Sequence, residues 1–348
     1  MTQGSPLSYV AAGVDRDAAN RAKRGILELV ASTATDGVVA NPGGFGGLFR
    51  SPSGPGSPLL VASADGVGTK LKVASLANQH GGVGHDIVNH CANDILVEGA
   101  RPLFFLDYIG MGRLETGVVG QIVEGVAAAC RATGCALLGG ETAEMPDVYS
   151  PGEYDIAGFI VGVVDEEGRP GAHRVRDGDT LIALRSDGFH TNGYSLLRRL
   201  LFDTLCMRTD QEYPGTGATV ADVLLRPHRS YVAGVLPLIG EGGVSALAHI
   251  TGGGIPENLD RVIPAGLCAE IDLATWEPAA EFRFVADRGH IAETEMFRTF
   301  NMGVGMVLVV RAELADGVLD RLTSAGEIAW RIGGVRTGAE RVSIARNG

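Results

Sequence analysis

The chain has 348 residues, 45% hydrophobic and 20% charged, with a formal net charge of -12. That length and apolar share suit two domains with a sizeable core. The acidic balance argues against a general nucleic-acid or anionic-membrane binder, although backbone N–H groups and a metal can still hold a nucleotide locally. The 51 glycines are about double the usual share of roughly 7%. They cluster between apolar runs, where they either let the backbone approach a ligand or make ordinary turns. The cysteines, Cys91, Cys130, Cys135, Cys206 and Cys268, are odd in number and form no C-x-x-C pair, which fits reduced thiols in a cytoplasmic protein. The N-terminus does not read as a signal peptide, and the longest apolar stretch, 156–164, is too short to span a bilayer.

In chain order, a polar segment at 8–20 precedes a predicted helix at 21–31 and a glycine loop at 43–47, read as a mobile lid. A short apolar strand at 58–61 then leads into Ala62-Ser63-Ala64-Asp65-Gly66-Val67-Gly68-Thr69-Lys70, with a helix from 71. Amides freed by Gly66 and Gly68 at a helix N-terminus suit a phosphate. Asp65 tolerates a phosphate only with a cation between them, so carboxylate–Mg²⁺–phosphate is one reading and a tight turn capped by Asp is the other. The segment 84–98 reads as a helix. Ile87, Val88, Cys91, Ala92, Ile95 and Leu96 make its apolar face, and Asp86, Asn89, His90, Asn93 and Asp94 form a stripe opposite. Short polar side chains favour helix less than Lys or Glu, so the stripe reads as a buried polar site.

Strands follow at 103–109, 136–138 and 156–164, and a helix at 116–133 has apolar positions at helical spacing. Gly139-Gly140-Glu141-Thr142-Ala143-Glu144-Met145-Pro146 reads as a flexible loop with two carboxylates, or as a turn and helix start with Thr142 as N-cap. Asp65, Asp94 and Glu141 sit on or next to consecutive α/β units and are the candidate Mg²⁺ ligands that phosphoryl transfer needs. The charged stretch 166–178 marks a domain boundary, giving domains 1–168 and 169–348. The second half has strands at 180–184, 247–250, 267–271, 305–310 and 328–332, and helices at 194–202, 221–239 and 314–323. After its first strand, His190 in a loop with Gly188, Thr191 and Asn192 is the best candidate proton carrier or phosphate partner, a structural histidine being the other reading. Strands and helices alternate in both halves, so the fold class is α/β with mixed α+β sheets in two domains, and the sequence assigns no sheet topology. There is no P-loop, dinucleotide fingerprint, H-E-x-x-H or nucleophile elbow, and His85 and His90 are badly spaced for a zinc pair.

Nearly end to end, the chain resembles the aminoimidazole ribonucleotide synthetase (phosphoribosylformylglycinamidine cyclo-ligase) family of purine biosynthesis. The likeness rests on Ala12-Gly13-Val14-Asp15, Asp65 to Lys70, Asn93-Asp94-Ile95 and Pro102-Leu103-Phe104-Phe105-Leu106-Asp107-Tyr108. It continues through Gly139 to Pro146, His190-Thr191-Asn192-Gly193-Tyr194-Ser195 and Thr251-Gly252-Gly253-Gly254. It ends in Glu295-Met296-Phe297-Arg298-Thr299-Phe300-Asn301 and Gly303-Val304-Gly305-Met306.

The resemblance implies two α/β domains, the first pairing in a homodimer, and a cytoplasmic enzyme that binds ATP, Mg²⁺ and formylglycinamidine ribonucleotide. It implies that ATP phosphorylates the formyl oxygen, an amidine nitrogen attacks the same carbon, and phosphate leaves to give 5-aminoimidazole ribonucleotide. It implies catalytic roles for Asp94 and His190 and metal ligation by Asp65, Asp94 and Glu141. Nucleotide or substrate contacts are implied for Gly44, Gly46, Asp65, Gly66, Gly68, Thr69, Lys70, Asn93, Gly140, Glu141, Thr191, Asn192 and Gly253. Leu27 stands where the family often has a lysine, which Lys23 or Arg24 replaces unless the role is dispensable. His85, Asn89 and His90 depart from the commonest family version. The rivals sharing the fold are thiamine-monophosphate kinase, selenophosphate synthetase and a hydrogenase maturation factor. A catalytically dead nucleotide-binding scaffold is opposed by the intact Asp65, Lys70, Asp94, Glu141 and His190.

Overall fold

A computed structural model of the chain describes residues 8, 9, 11–15, 17, 18, 26, 27, 29–39, 44–54 and 56–346. Most of the predicted helix at 21–31 lies outside them, as do Lys23, Arg24 and Gly43.

The first half runs β1 (Gly47–Arg50), β2 (Leu59–Gly66), α1 (Lys70–Ala77), α2 (Gly81–Val97), β3 (Arg101–Met111), α3 (Thr116–Thr133), β4 (Ala136–Glu144) and β5 (Tyr154–Val164). Its strands order as β1-β2-β5-β3-β4. All neighbours are antiparallel except β3 and β4, which α3 joins in parallel. Along β5 Ile156, Gly158 and Ile160 are buried, whereas Asp155, Ala157 and Phe159 face outward, the period-two pattern of a sheet covered on one face. Helix α2 lies across the covered face, against β2 and β5. It crosses α3 on glycine: a Cβ added at Gly84 would sit 2.1 Å from the Ile122 carbonyl oxygen, and one at Gly125 2.1 Å from that of Gly81.

The second half runs β6 (Thr180–Arg185), α4 (Tyr194–Arg198), α5 (Val220–Leu224), α6 (Val232–Gly240), β7 (Ala246–His249), α7 (Gly254–Asp260) and β8 (Leu267–Asp272). It continues with α8 (Ala280–Gly289), α9 (Glu293–Thr299), β9 (Val304–Val310), α10 (Ala315–Ser324), β10 (Ala329–Thr337) and β11 (Val342–Ala345). The sheet order is β11-β8-β10-β6-β9-β7, and β9 is buried at every position. The halves meet where α2 also touches β7 and α6. Its apolar side is therefore spent on the first sheet and its polar side on the second half.

Two expectations need correction. Residues 139–144 are strand, not a turn and helix start, because each of them pairs with β3, from Leu106 to Met111, and that ladder satisfies the backbone. The helical region expected at 221–239 breaks at 225–231, because Pro227 disfavours helical geometry in Arg226 before it. Helices α7, α8 and α9, of seven, ten and seven residues, were not anticipated.

Candidate active site

The polar stripe of α2 is buried, as its composition implies, but most of it grips the second half. Asp86 Oδ1 accepts from the His228 N–H at 2.6 Å, and Asn89 Nδ2 donates to the His228 carbonyl at 2.7 Å. Asn93 Nδ2 donates to the Arg229 carbonyl at 2.8 Å, and Asn93 Oδ1 accepts from the Tyr231 N–H at 3.0 Å. The segment opened by Pro227 would otherwise carry buried, unpaired backbone groups.

Lys70 serves the same junction. Its side chain has no exposed surface, and Nζ lies 2.8 Å from Asp86 Oδ2. It also donates to the His190 carbonyl at 3.1 Å and the Arg226 carbonyl at 2.7 Å. Burial lowers the Lys70 pKa and raises that of Asp86, each opposed by the other's charge. With its three donors satisfied, this ammonium is a tie between the halves and is not presented to a nucleotide. Asn93 is likewise a tie.

The remaining stripe residues, His90 and Asp94, face a cavity of about 560 Å³ between the halves. His90 Nε2 is 2.9 Å from Asp65 Oδ2 and 4.0 Å from Asp94 Oδ2. His90 Nδ1 is 3.0 Å from Thr191 Oγ1, which is 3.4 Å from His228 Nδ1. His228 Nε2 meets His249 Nε2 at 2.9 Å, and His249 Nδ1 meets Asp94 Oδ1 at 2.8 Å. Ser63 Oγ donates to Asp94 Oδ2 at 3.2 Å.

The proton positions follow from the acceptors. Asp94 takes the His249 Nδ1 proton, so a neutral His249 accepts at Nε2 from His228, and a neutral His228 accepts at Nδ1 from Thr191. Thr191 then accepts from His90 Nδ1–H while Asp65 accepts from Nε2–H, which makes His90 an imidazolium. Burial works against that charge, but Asp65, Asp94 and Asp86 outweigh it and raise the His90 pKa to about 9. Burial also pushes Asp65 up, but His90 prevails and its pKa falls below the ordinary value. Burial and neighbouring cations lower His190, His228 and His249, even though Asp94 supports the last.

These shifts set a pH profile for the metal-free chain. His90 contributes about 3 kcal/mol, fully present below about pH 6.5 and lost as the pH rises through about 9. The three depressed histidines contribute stability that is present above about pH 6.5 and lost below it. The thermal midpoint is therefore expected to peak near pH 6.5 and to decline into the alkaline range. Calorimetry in chelator measures this, and a midpoint constant from about pH 6.5 to 9 would remove the His90 imidazolium.

Of the residues expected at the site, Gly44, Asp65, Gly66, Gly68, Thr69, Asp94, Thr191 and Asn192 line the cavity. Asp65 is the last residue but one of β2, and Asp65 Oδ1 accepts from its neighbour Gly66 N–H at 2.7 Å. It does not cap α1, whose N-terminus has no side-chain cap, so the capped-turn reading loses support. Gly68, at φ 73°, adopts a left-handed conformation with open space where a Cβ would be, which leaves the loop's amides approachable.

Gly46, Lys70, Asn93, Gly140, Glu141, His190 and Gly253 do not line it. The His190 imidazole is buried behind the site and stacks on His228 at 4.0 Å between centroids. His190 Nε2 accepts from the Asp187 N–H at 3.1 Å, and Nδ1 has no hydrogen-bond partner among the described residues. Glu141 is on the wrong side of the sheet. It aligns with Tyr108 and Ala157, whereas Asp65 aligns with Gly158, Asp107 and Gly140. Successive rows face opposite ways, so one chain cannot bring Glu141 to Asp65 and Asp94.

The sequence reading missed His228 and His249. The second had a signal, since it ends a strand just before the Thr251–Gly254 glycines. Tyr9 was also missed: it lines the cavity, its N–H donates to Glu295 Oε1 at 3.1 Å, and its hydroxyl accepts from the Gly193 N–H at 3.2 Å. The residues around Ala12–Asp15 are thereby tied to the second half. Arg261 lines the cavity too, 4.8 Å over the Phe45 ring.

The geometry is matched by three kinds of likeness. Residues 52–164 match the family model "AIR synthase related protein, N-terminal domain", and residues 176–345 match its C-terminal counterpart. The chain is 45% identical over 341 residues, 98% of each chain, to the phosphoribosylformylglycinamidine cyclo-ligase of Alkaliphilus metalliredigens. It is 47% identical over 331 residues, 95% of each, to that of Trichlorobacter lovleyi. Among solved structures, thiamine-monophosphate kinase from Stenotrophomonas maltophilia aligns with TM-score 0.61 at 16% identity, over 90% of this chain and 93% of that one. At that identity the likeness concerns the fold alone. No helix among the described residues is long and apolar enough to cross a membrane. The chain therefore belongs to the phosphoribosylformylglycinamidine cyclo-ligase family, the ATP-dependent enzymes that close the imidazole ring of 5-aminoimidazole ribonucleotide in purine biosynthesis.

Proposed function

We propose that the cavity between the halves is where ATP, Mg²⁺ and formylglycinamidine ribonucleotide meet, with Asp65 and Asp94 as the oxygen ligands of the metal. The observation that carries this reading is the convergence of those two carboxylates, from β2 and α2, on one imidazolium at the cavity wall. Two carboxylates suit Mg²⁺, which favours oxygen donors. When bound, Mg²⁺ would neutralise charge on the β- and γ-phosphates. The Gly66–Thr69 amides face the same cavity and suit the phosphates. Thr191 and Asn192 line its other wall, where substrate contacts belong. His190 is assigned a positioning role through its carbonyl bond to Lys70 and its stack on His228.

We also propose that the first half pairs in a homodimer. The open face of its sheet carries Phe104, Leu106, Tyr108, Phe159 and Val161, all exposed or half-buried, the kind of apolar face a second copy covers. Glu141 shares that face, so a metal role for it requires a neighbouring chain. The domain boundary is placed at 168/169, between the end of β5 at Val164 and the start of β6 at Thr180. A cytoplasmic setting suits the four buried free thiols.

Titration calorimetry of a non-hydrolysable ATP analogue tests the site. Binding is expected to be Mg²⁺-dependent and to weaken by about tenfold or more in Asp65→Asn. Equal affinity in chelator, or in the variant, would remove Asp65 from the metal.

A further inference from the structure

We propose that His90, Asp94 and His249 bind a nitrogen-preferring first-row dication of the zinc or cobalt class, with Asp65 completing the set at the cavity mouth. The proposal rests on the assignment of Asp65 and Asp94 as metal ligands: those carboxylates hold Mg²⁺ with the nucleotide, and the zinc-class ion is their alternative occupant when both imidazoles join the set. One ligand atom from each of His90, Asp94 and His249 lies within 4.8 Å of the others. Without the ion, hydrogen bonds hold these atoms together, 2.8 Å from His249 Nδ1 to Asp94 Oδ1 and 2.9 Å from His90 Nε2 to Asp65 Oδ2, and an ion that takes the place of the shared protons need spread them only to about 3.3 Å. With metal–nitrogen and metal–oxygen bonds of about 2 Å, small side-chain rotations suffice. Spaced i, i+4, His90 and Asp94 share one face of α2, and β7 ends on His249.

The surroundings are arranged as they are around ligating histidines. Metal on His90 Nε2 and His249 Nδ1 leaves each neutral ring with its proton on the far nitrogen. Those nitrogens face Thr191 Oγ1 at 3.0 Å, already an acceptor, and His228 Nε2 at 2.9 Å, which becomes one once His228 carries its proton on Nδ1; these are the outer contacts that fix ring orientation. Binding releases one proton to solvent, from the His90 imidazolium, because His249 is neutral before and after and only changes tautomer, and the two carboxylates balance the dication. His90, Asp94 and His249 are buried, while the Asp65 side chain remains 41% exposed, so the open side of the ion would face the cavity. Imidazole nitrogens suit zinc, cobalt and nickel and are poor partners for Mg²⁺.

The test is spectroscopic. Full-length chain, stripped with chelator, is titrated with Co²⁺. One equivalent is expected to bind with the intense visible absorption of four- or five-coordinate cobalt, and to stay bound in about 1,000-fold excess Mg²⁺. His228→Ala, which removes only an outer contact, is expected to weaken Co²⁺ binding by about 10–100-fold, and His249→Gln by more. His90→Gln is the second ligand variant, with near-ultraviolet circular dichroism reporting the fold of each. Weak six-coordinate cobalt that Mg²⁺ displaces, or parental affinity in both folded ligand variants, overturns the proposal. Product formation with Mg²⁺ and ATP in the same preparation separates the readings: activity without the cobalt site removes this inference and leaves the family reaction standing.

Discussion

Asp94→Asn is expected to lower kcat for imidazole formation by about 10³-fold while the chain keeps its fold. Asp94 and Asp65 are the two carboxylates that line the cavity among the described residues. Asp94 is the more enclosed, with His249 at 2.8 Å and Ser63 at 3.2 Å fixing its two oxygens. Asparagine keeps the shape and one acceptor but loses the charge that would hold a dication and face the imidazolium of His90. In a largely desolvated site that charge is worth far more than in water. Because the shape is retained, the thermal midpoint is expected to move by only about 5 °C or less. Steady-state kinetics of the folded variant provide the check, and a rate within about threefold of the parent would take Asp94 out of the mechanism.

The second large effect concerns stability. Lys70→Met is expected to cost about 3–5 kcal/mol, because it leaves Asp86 buried without its partner. Two second-half carbonyls, those of His190 and Arg226, lose their donor as well. The double variant Lys70→Met with Asp86→Leu is expected to recover much of the loss, since replacing both members of a buried pair with apolar groups is often near neutral. Recovery remains incomplete because Asp86 also accepts from the His228 N–H. Urea unfolding of both variants measures this. A Lys70→Met chain that unfolds at the parental midpoint would show that the pair does not hold the halves together.

Local chemistry made much of this legible before the structure. The α3 helix follows its apolar spacing, and the stripe on α2 was recognisable because asparagine, aspartate and histidine are poor choices for a solvated helix face. The Asp65–Thr69 loop reads from its glycines. What the sequence concealed depends on partners distant in the chain. His249 meets Asp94 across 155 positions, and its ring lies 5.2 Å from that of His90, a neighbour that no spacing within α2 could show. Lys70 looks like a phosphate ligand until Asp86 and the 226–228 segment are seen around it. Glu141 looks like a metal ligand until strand register assigns it to the other face, since shifting a strand by one residue exchanges its faces. His190 has the right neighbours in sequence, yet its left-handed backbone, at φ 57°, goes with a ring buried behind the site.

The most direct test of the account follows ADP and 5-aminoimidazole ribonucleotide together, in one reaction of purified chain with Mg²⁺, ATP and formylglycinamidine ribonucleotide. The account predicts one ADP for each imidazole formed, and no ATP turnover when the ribonucleotide is omitted. Steady ATP hydrolysis without that substrate, or hydrolysis with it that yields no imidazole, would contradict it.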